Sequence, residues 1–416
     1  MIEQPDTDGE SAVAELQGLY GPFHFPELTL QKLWIERAYD GRRATTLDGE
    51  RVVVDSPGRW NRLGGPDFRE ARIRIGDCWC RGDVEVHLHE SDWRAHQHAG
   101  DPNYSDVILH VVLFPTRCPE PVRARRDDGS LVPVLVMLPL LWHDLEEYAA
   151  DEAVARIAAR PMDHLLATWR DLAPEEIEAR LWAAAQRRWE SKVRFARHRI
   201  AKLGWVDACH HTALEILGYR FNRVGMLKAA GRWPLAVWAD AGIGPEEAYA
   251  TLLAEQAWHL QGVRPLNHPR RRLAAYAKWA RTQPDWPGQL RSLGESWPEP
   301  GGLTGFADVA NARKTCGYAV WLRKGLGRLG AADRVRRPRA DNLWGDGLLP
   351  LLAAAGPVAR ASLGQWWSMG WPGDQPDRSR QVLRMLGLGS GRQRPLCWGA
   401  AQGLLLAQAE ATGRRT

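Results

Sequence analysis

The period of the apolar positions changes once along this chain, near Glu146. Upstream, apolar and polar residues alternate in twos, the spacing of half-buried strands. Downstream they recur every three to four positions, the spacing of amphipathic helices. Residues 1–20 read as a loose leader ending in a short helix, and Gly21–Pro26 as a turn. Thr29 is placed to cap a helix through LQKLWIERAYD, with Leu30, Leu33, Trp34 and Ala38 on one face and Gly41 as its stop. Strand-like pieces follow: ATTLDG, a turn at Asp48–Gly49, ERVVVDSPG and, past a Gly-Gly-Pro loop, DFREARIRI. Gly76–Asp77 makes a hairpin turn into CWCRGDVEVHLH. In that strand Val84, Val86 and Leu88 fall on one face, and Asp83, Glu85, His87 and His89 on the other. Ser91 or Asp92 starts a short helix or turn around WRAHQH; DVILHVVLF reads as a buried strand, and SLVPVLVMLPLL closes the sheet.

From Glu146 on, EEYAADEAVARIAAR, PEEIEARLWAAAQRRWESKVRFARHRIAKLG and the stretches 205–231 and 246–279 carry helical spacing. Residues 284–305, rich in Pro, Gly and Trp, read as a linker. Helices then return, broken at Pro338, Pro372 and Gly387–Gly391. The pattern predicts an α+β domain over 1–145, a helical domain over 146–283 and a helical C-terminal region over 284–416. No internal repeat is visible.

Composition narrows the class. At 44% hydrophobic and 25% charged, the chain reads as globular rather than disordered. No apolar run approaches the ~18 residues of a membrane span, and the acidic, polar start does not read as a signal peptide. The six cysteines are scattered and form neither a disulfide framework nor a zinc framework. A cytoplasmic bacterial protein is expected. Charge divides unevenly: residues 1–150 hold 16 Lys and Arg against 26 Asp and Glu, net −10, and the rest hold 39 against 24, net +15, giving the overall +5. An acidic part that wants cations and a basic part that wants polyanions fit this division, as do solvated arginine faces.

The candidate chemistry lies between Asp67 and His110. Five of the 13 histidines, His87, His89, His96, His98 and His110, fall in two dozen residues beside Asp92 and Asp101. Such a cluster suits a metal site of His and Asp, contacts to phosphate, or an ordered loop over a site. His110, inside an apolar strand, reads as a core histidine. No Walker loop, dinucleotide fingerprint or G-x-S-x-G elbow is present.

The order helix, strands, G-P-D, hairpin, E-x-H strand, helix, strand resembles the PD-(D/E)XK nuclease superfamily, matched here by Pro66, Asp67, Glu85, Val86 and His87. The resemblance implies a restriction-endonuclease-like mixed sheet with flanking helices. It also implies that Asp67 and Glu85 share a divalent metal with the Val86 carbonyl as third ligand and Glu36 as an accessory ligand from the first helix. Mg²⁺ or Mn²⁺ is the expected ion, with Zn²⁺ as the alternative. His87 stands where that superfamily has lysine, and a histidine there acts as general base or binds metal itself. The stretch GPDFREARIRIGDCWCRGDVEVHLHESDWRAHQHAGDPNYSDVILHVVLF, with LGYRFNRVGM, RPLNHPRRRLA and AAQGLLL further on, is also similar to the bacterial family of domain of unknown function 2851.

Three basic segments mark the helical part. RRWESKVRFARHRIAK places Arg188, Lys192, Arg199 and Lys202 among apolar residues. Denser clusters at Arg270, Arg271 and Arg272, and at Arg336, Arg337 and Arg339, suit phosphate contacts to DNA or RNA. The tryptophans at helical spacing are expected in the core. The sequence thus predicts a metal-dependent phosphodiesterase, a nuclease with a basic helical module. Its rivals are a non-catalytic nucleic-acid-binding protein on a degenerate nuclease core and a His-rich metal hydrolase of small substrates.

Overall fold

Pairing rather than helix formation organises the first residues of the structure, a computed structural model. It describes the chain apart from residues 1–12, 19–20, 62–63, 97, 99–100, 116–123, 127–128, 160–165, 168, 301, 332–334, 336–337, 357–359, 376, 390–393 and 414–416. Where a short helix and a turn were expected, β1 (Val13–Gly18) and β2 (Gly21–Pro26) pair antiparallel. A six-residue segment offers too few turns to offset helix nucleation, whereas pairing satisfies two backbones at once. Pro26 stays extended, and α1 (Glu27–Ile35) starts directly after it, with Glu27 in its first turn. Thr29 is therefore buried within the helix and does not cap it.

Six strands form the main sheet: β3 (Val52–Ser56), β4 (Arg59–Trp60), β5 (Phe68–Ile75), β6 (Cys78–His89), β7 (Val107–Phe114) and β8 (Val134–Val136). Their order is β3-β5-β6-β7-β8, with β4 also on β5. β5 runs antiparallel to β3, β4 and β6, while β6, β7 and β8 run parallel to one another. The two strands flanking Gly76–Asp77 match the hairpin read from the sequence. ATTLDG contributes isolated bridges at Thr45 and Thr46 rather than a strand. A parallel neighbour cannot be reached by a tight turn, so the chain crosses from β6 to β7 through α2 (Asp92–Ala95) and a single turn at Pro102–Tyr104. Val84, Val86 and Leu88 are buried as the alternation requires, and so are Glu85 and His87 on the other face.

The chain divides into two compact units, Met1–Ala150 and Asp151–Thr416. Residues 284–305, read from the sequence as a linker, belong to the second unit. They form a helix, Trp286–Glu295, whose Trp286, Leu290 and Leu293 are buried in that unit's core with Leu303 and Phe306. Other helices of this unit include α3 (Pro174–Leu203) and α4 (Trp205–Leu217). Trp189, Trp238, Trp279, Trp344, Trp366, Trp367 and Trp398 fill the core, as their spacing predicts. A polar seam crosses it. Asp151 accepts from Arg188 (3.0 Å) and Arg223 (3.2 Å), and Glu215 pairs with Arg223 and with Arg199 (2.9 Å). Burial works to raise the Asp151 carboxyl, but Arg223, Arg188 and Lys192 hold it well below the usual range. Among the described residues, no helix is long and apolar enough to cross a membrane.

One glycine carries a specific steric demand. A Cβ at Gly82 of β6 would lie 2.4 Å from the Asp106 carbonyl and 2.5 Å from Ile108 Cγ2. The β6–β7 pairing shifts register just beyond it, between Asp83 and Val84. Gly82→Ala is expected to destabilise the first unit by about 2 kcal/mol, because backbone must move to admit the methyl group. Chemical denaturation monitored on residues 1–150 in the full chain checks this, and an unchanged midpoint counts against the packing argument.

Candidate metal centre

The turn before β5 aims Asp67. Asn61 Nδ2 donates to the carbonyls of Gly64 (2.7 Å) and Pro66 (3.0 Å), and the Asn61 N–H donates to the Asp67 carbonyl (2.7 Å). Gly64 and Gly65 sit at φ +96° and +79°, where a side chain would be strained. Asp67 leaves this clasp one residue before Phe68, which pairs with Val84. Past Val84, β6 has no β5 beside it, and carboxylates take the strand's place. The Val86 N–H donates to Asp67 Oδ2 (3.1 Å), and the Leu88 amide to the Glu27 carboxylate. In return the Asp67 N–H donates to Glu85 Oε2 (3.0 Å). Asp67 and Glu85, eighteen positions apart, are thus brought together.

The rest of the predicted set divides. Val86 takes part through its N–H, which faces Asp67. Glu36 is exposed beyond the end of α1, roughly 13 Å along the helix axis from Glu27. The α1 residues that reach the site are Glu27 and Gln31: Gln31 Nε2 donates to Asp67 Oδ1 (2.8 Å) and lies 3.4 Å from Glu27 Oε1. Sequence reasoning missed both, although a polar pair at i and i+4 on an apolar helix was the available signal. His89 is exposed and stacks on Phe114 at 5.2 Å, and Asp92 accepts the His89 N–H (2.8 Å). Asp101 caps the Pro102–Tyr104 turn rather than entering the site.

His87, His96 and His98 do converge: one ring nitrogen from each lies within 4.8 Å of the others. Nε2 of His87 and Nε2 of His98 each stand 3.3 Å from Glu85 Oε1. Both nitrogens are buried and neither has a hydrogen-bond partner. His87 Nδ1 meets His110 Nε2 at 2.9 Å. Burial, helped by His87, pushes His110 down to about 3, so it is neutral. Trp93 and Tyr104, packed with Val107, Ala124 and Val132, back the loop, and Tyr104 stacks on His98 at 3.9 Å. His96 is the exposed member.

Three acids share this space, Glu27 and Glu85 buried and Asp67 half-buried. Burial, then Glu85 and Asp92, lifts Glu27 to about 8. Burial, then Glu85 and Glu27, raises Asp67 strongly. Burial opposes ionisation of Glu85 too, but His87 and His98 hold it low. The charges acting most on these acids are one another and the imidazoles, with no lysine or arginine among them. Such a set is incomplete without positive charge, either protons or a cation.

The basic residues fall into two groups. Arg270 and Arg271 are exposed, Arg270 in a surface pair with Glu246 at 2.5 Å. Arg272 is buried and donates to Asn267 (2.5 Å), and buried Arg339 pairs with Asp374 (2.5 Å), so these two serve the unit's interior. Arg336 and Arg337 lie outside the described residues.

A raised carboxyl binds more protons in the folded than in the unfolded chain, so stability falls as pH climbs between the two values. For Glu27 that contribution is intact below about pH 4.5 and gone above about 8. In chelator, Glu27→Gln should therefore melt higher than the parent at pH 8.5 and together with it near pH 4.5. A constant difference across that range counts against the buried-acid account.

No curated protein and no solved structure matches this chain. A family model described as "Protein of unknown function (DUF2851)" matches residues 27–255, from the first residue of α1 through the whole site and into the helical unit. That match spans more than half of the 416 residues, and the chain belongs to this family.

Proposed function

We propose that this protein is a metal-dependent phosphodiesterase, a nuclease acting on DNA or RNA. The observation that carries the reading is the reciprocal tie between Asp67 at the head of β5 and Glu85 on β6. It sits in a sheet where β5 alone runs against the other strands. The PD-(D/E)XK resemblance implies an acid pair at these two places in a restriction-endonuclease-like sheet. The fit to a cation rests on the buried, partnerless Nε2 atoms beside Glu85 Oε1. A bound divalent ion, Mg²⁺ or Mn²⁺ by the resemblance, supplies a water acidified for attack and offsets charge gathering on the phosphoryl oxygens.

The chain's own residues prepare that chemistry. Glu85 presents Oε1 while its other oxygen is fixed by the Asp67 N–H. Asp67 is locked by Gln31 and Val86 and so holds the β5 end against β6. His87 occupies the lysine's place. Its Nδ1 meets Nε2 of the neutral His110 at 2.9 Å, which orients the ring so that Nε2 stands beside Glu85 Oε1. Among the described residues of the basic clusters Arg270 and Arg271 are exposed, and we assign them phosphate contacts.

Purified protein, with Mn²⁺ or Mg²⁺ and with EDTA, is expected to cleave single-stranded DNA, duplex DNA or RNA only when metal is present. Asp67→Asn and Glu85→Gln should each lower the rate about 100-fold or more while far-UV circular dichroism stays unchanged. Binding without cleavage by the metal-loaded parent supports the degenerate-core rival. Turnover of small esters alone supports the small-substrate hydrolase.

The arginine division generates a second expectation. Replacing Arg270 and Arg271 together by Ala should weaken binding equally for all sequences and reduce the salt slope by about 2. Arg339→Ala should instead cost about 3 kcal/mol of stability by leaving Asp374 unpaired. Filter binding across salt concentrations and denaturant titration separate the two effects, and equal loss of binding and stability in both variants contradicts the division.

A further inference from the structure

We infer that Glu85, His87 and His98, with His96 at the solvent edge, form a binding site for an imidazole-seeking transition-metal ion of the Zn²⁺ class. The inference names the ion of the proposed site, and it is tested by binding alone, so it stands or falls apart from phosphodiester cleavage.

The free ligand atoms decide the matter. Both carboxylate oxygens of Asp67 are already acceptors, from Gln31 Nε2 and the Val86 N–H. Glu85 Oε2 is held by the Asp67 N–H. Glu85 Oε1 is the oxygen that faces the two Nε2 atoms, each 3.3 Å away, and both nitrogens are buried without a hydrogen-bond partner. Two ligand atoms on one tetrahedral ion with bonds of about 2.0–2.1 Å lie about 3.3 Å apart. One ring nitrogen from each of His87, His96 and His98 lies within 4.8 Å of the others, which puts His96 at the border of the same shell.

The surroundings match what metal-bound imidazoles require. A ligating histidine usually donates its other N–H to an acceptor that fixes ring and tautomer. His110 Nε2 occupies that place at 2.9 Å from His87 Nδ1. Tyr104, stacked on His98 at 3.9 Å, fixes the second ring. One carboxylate oxygen and three imidazoles are a donor set for borderline ions, whereas Mg²⁺ prefers oxygen throughout. The ion is thereby displaced from the Asp67–Glu85 pair toward the imidazoles, and Asp67 becomes a positioning residue for Glu85.

The experiment uses the full chain, stripped with chelator and dialysed. Titration with Co²⁺ followed by visible absorption should give the d–d bands of a four- or five-coordinate ion. Zn²⁺ should bind at about one equivalent by metal analysis and abolish those bands, and a 1,000-fold excess of Mg²⁺ should not. His98→Ala should weaken binding at least about 10-fold with the chelator-treated melting temperature unchanged. His110→Phe should weaken it about 10–100-fold through loss of ring orientation. If His98→Ala lowers the apo melting temperature, the exposed His96→Ala provides the same comparison. Absence of the cobalt bands, equal binding by parent and both histidine variants, or displacement by Mg²⁺ overturns the assignment.

Discussion

The chemistry of the first unit depends on where β5 stops. β5 ends against β6 at Val84, and β6 continues to His89 with its N–H groups facing an edge that has lost its strand. Buried backbone donors need acceptors. Asp67 and Glu27 supply them to Val86 and Leu88, so two carboxylates enter a space that water has largely left. Glu85 joins them through the Asp67 N–H, which donates to its Oε2. The acid cluster is therefore a consequence of a strand ending early, secured by the Asn61 clasp and the left-handed glycines before it.

Gathering three acids in one buried place opposes folding unless something positive joins them. Protons on Glu27 and Asp67 do this in the bare protein, which is why burial and mutual repulsion raise both. A divalent cation does the same work with more charge per site. Sites of this kind trade stability for function, and the half-filled polar set around Glu85 Oε1 has the form of that trade. The two buried Nε2 atoms beside Glu85 Oε1 fall short of hydrogen-bond geometry, a cost that ligation would remove.

What the sequence revealed of this arrangement follows from range. The hairpin was legible because its period, its Gly76–Asp77 turn and its alternation are local, and Glu85 and His87 fell on one face for the same reason. The histidine cluster was legible by count. The contribution of α1 was not, because it turns on where the helix begins. Pro26 remains extended and hands the first turn to Glu27, so the face aimed at the sheet carries Glu27 and Gln31, and Glu36 ends exposed beyond the last turn. His110 read as a core histidine because its strand is apolar; its partner, His87, lies on a neighbouring strand in parallel pairing, which spacing along one segment cannot reveal. Residues 284–305 read as a linker because Pro and Gly dominate them, yet their tryptophans are drawn into the helical core, and burial of such large side chains outweighs weak local propensity.

The charge division needs the same correction from structure. A net of +15 over residues 151–416 suggests a broad basic surface, but a good part of that charge faces inward. Arg188, Arg194, Arg272, Arg313 and Arg339 are all buried, and several are matched to Asp151, Asp374 or main-chain carbonyls. Arginine suits this use because its planar fork satisfies several acceptors at once and keeps its charge when buried. Each internal Arg–Asp pair sums to zero, so it takes an arginine from the surface without lowering the net excess. The arginines that meet solvent are therefore fewer than the count along the chain suggests, and Arg270 and Arg271 are among them.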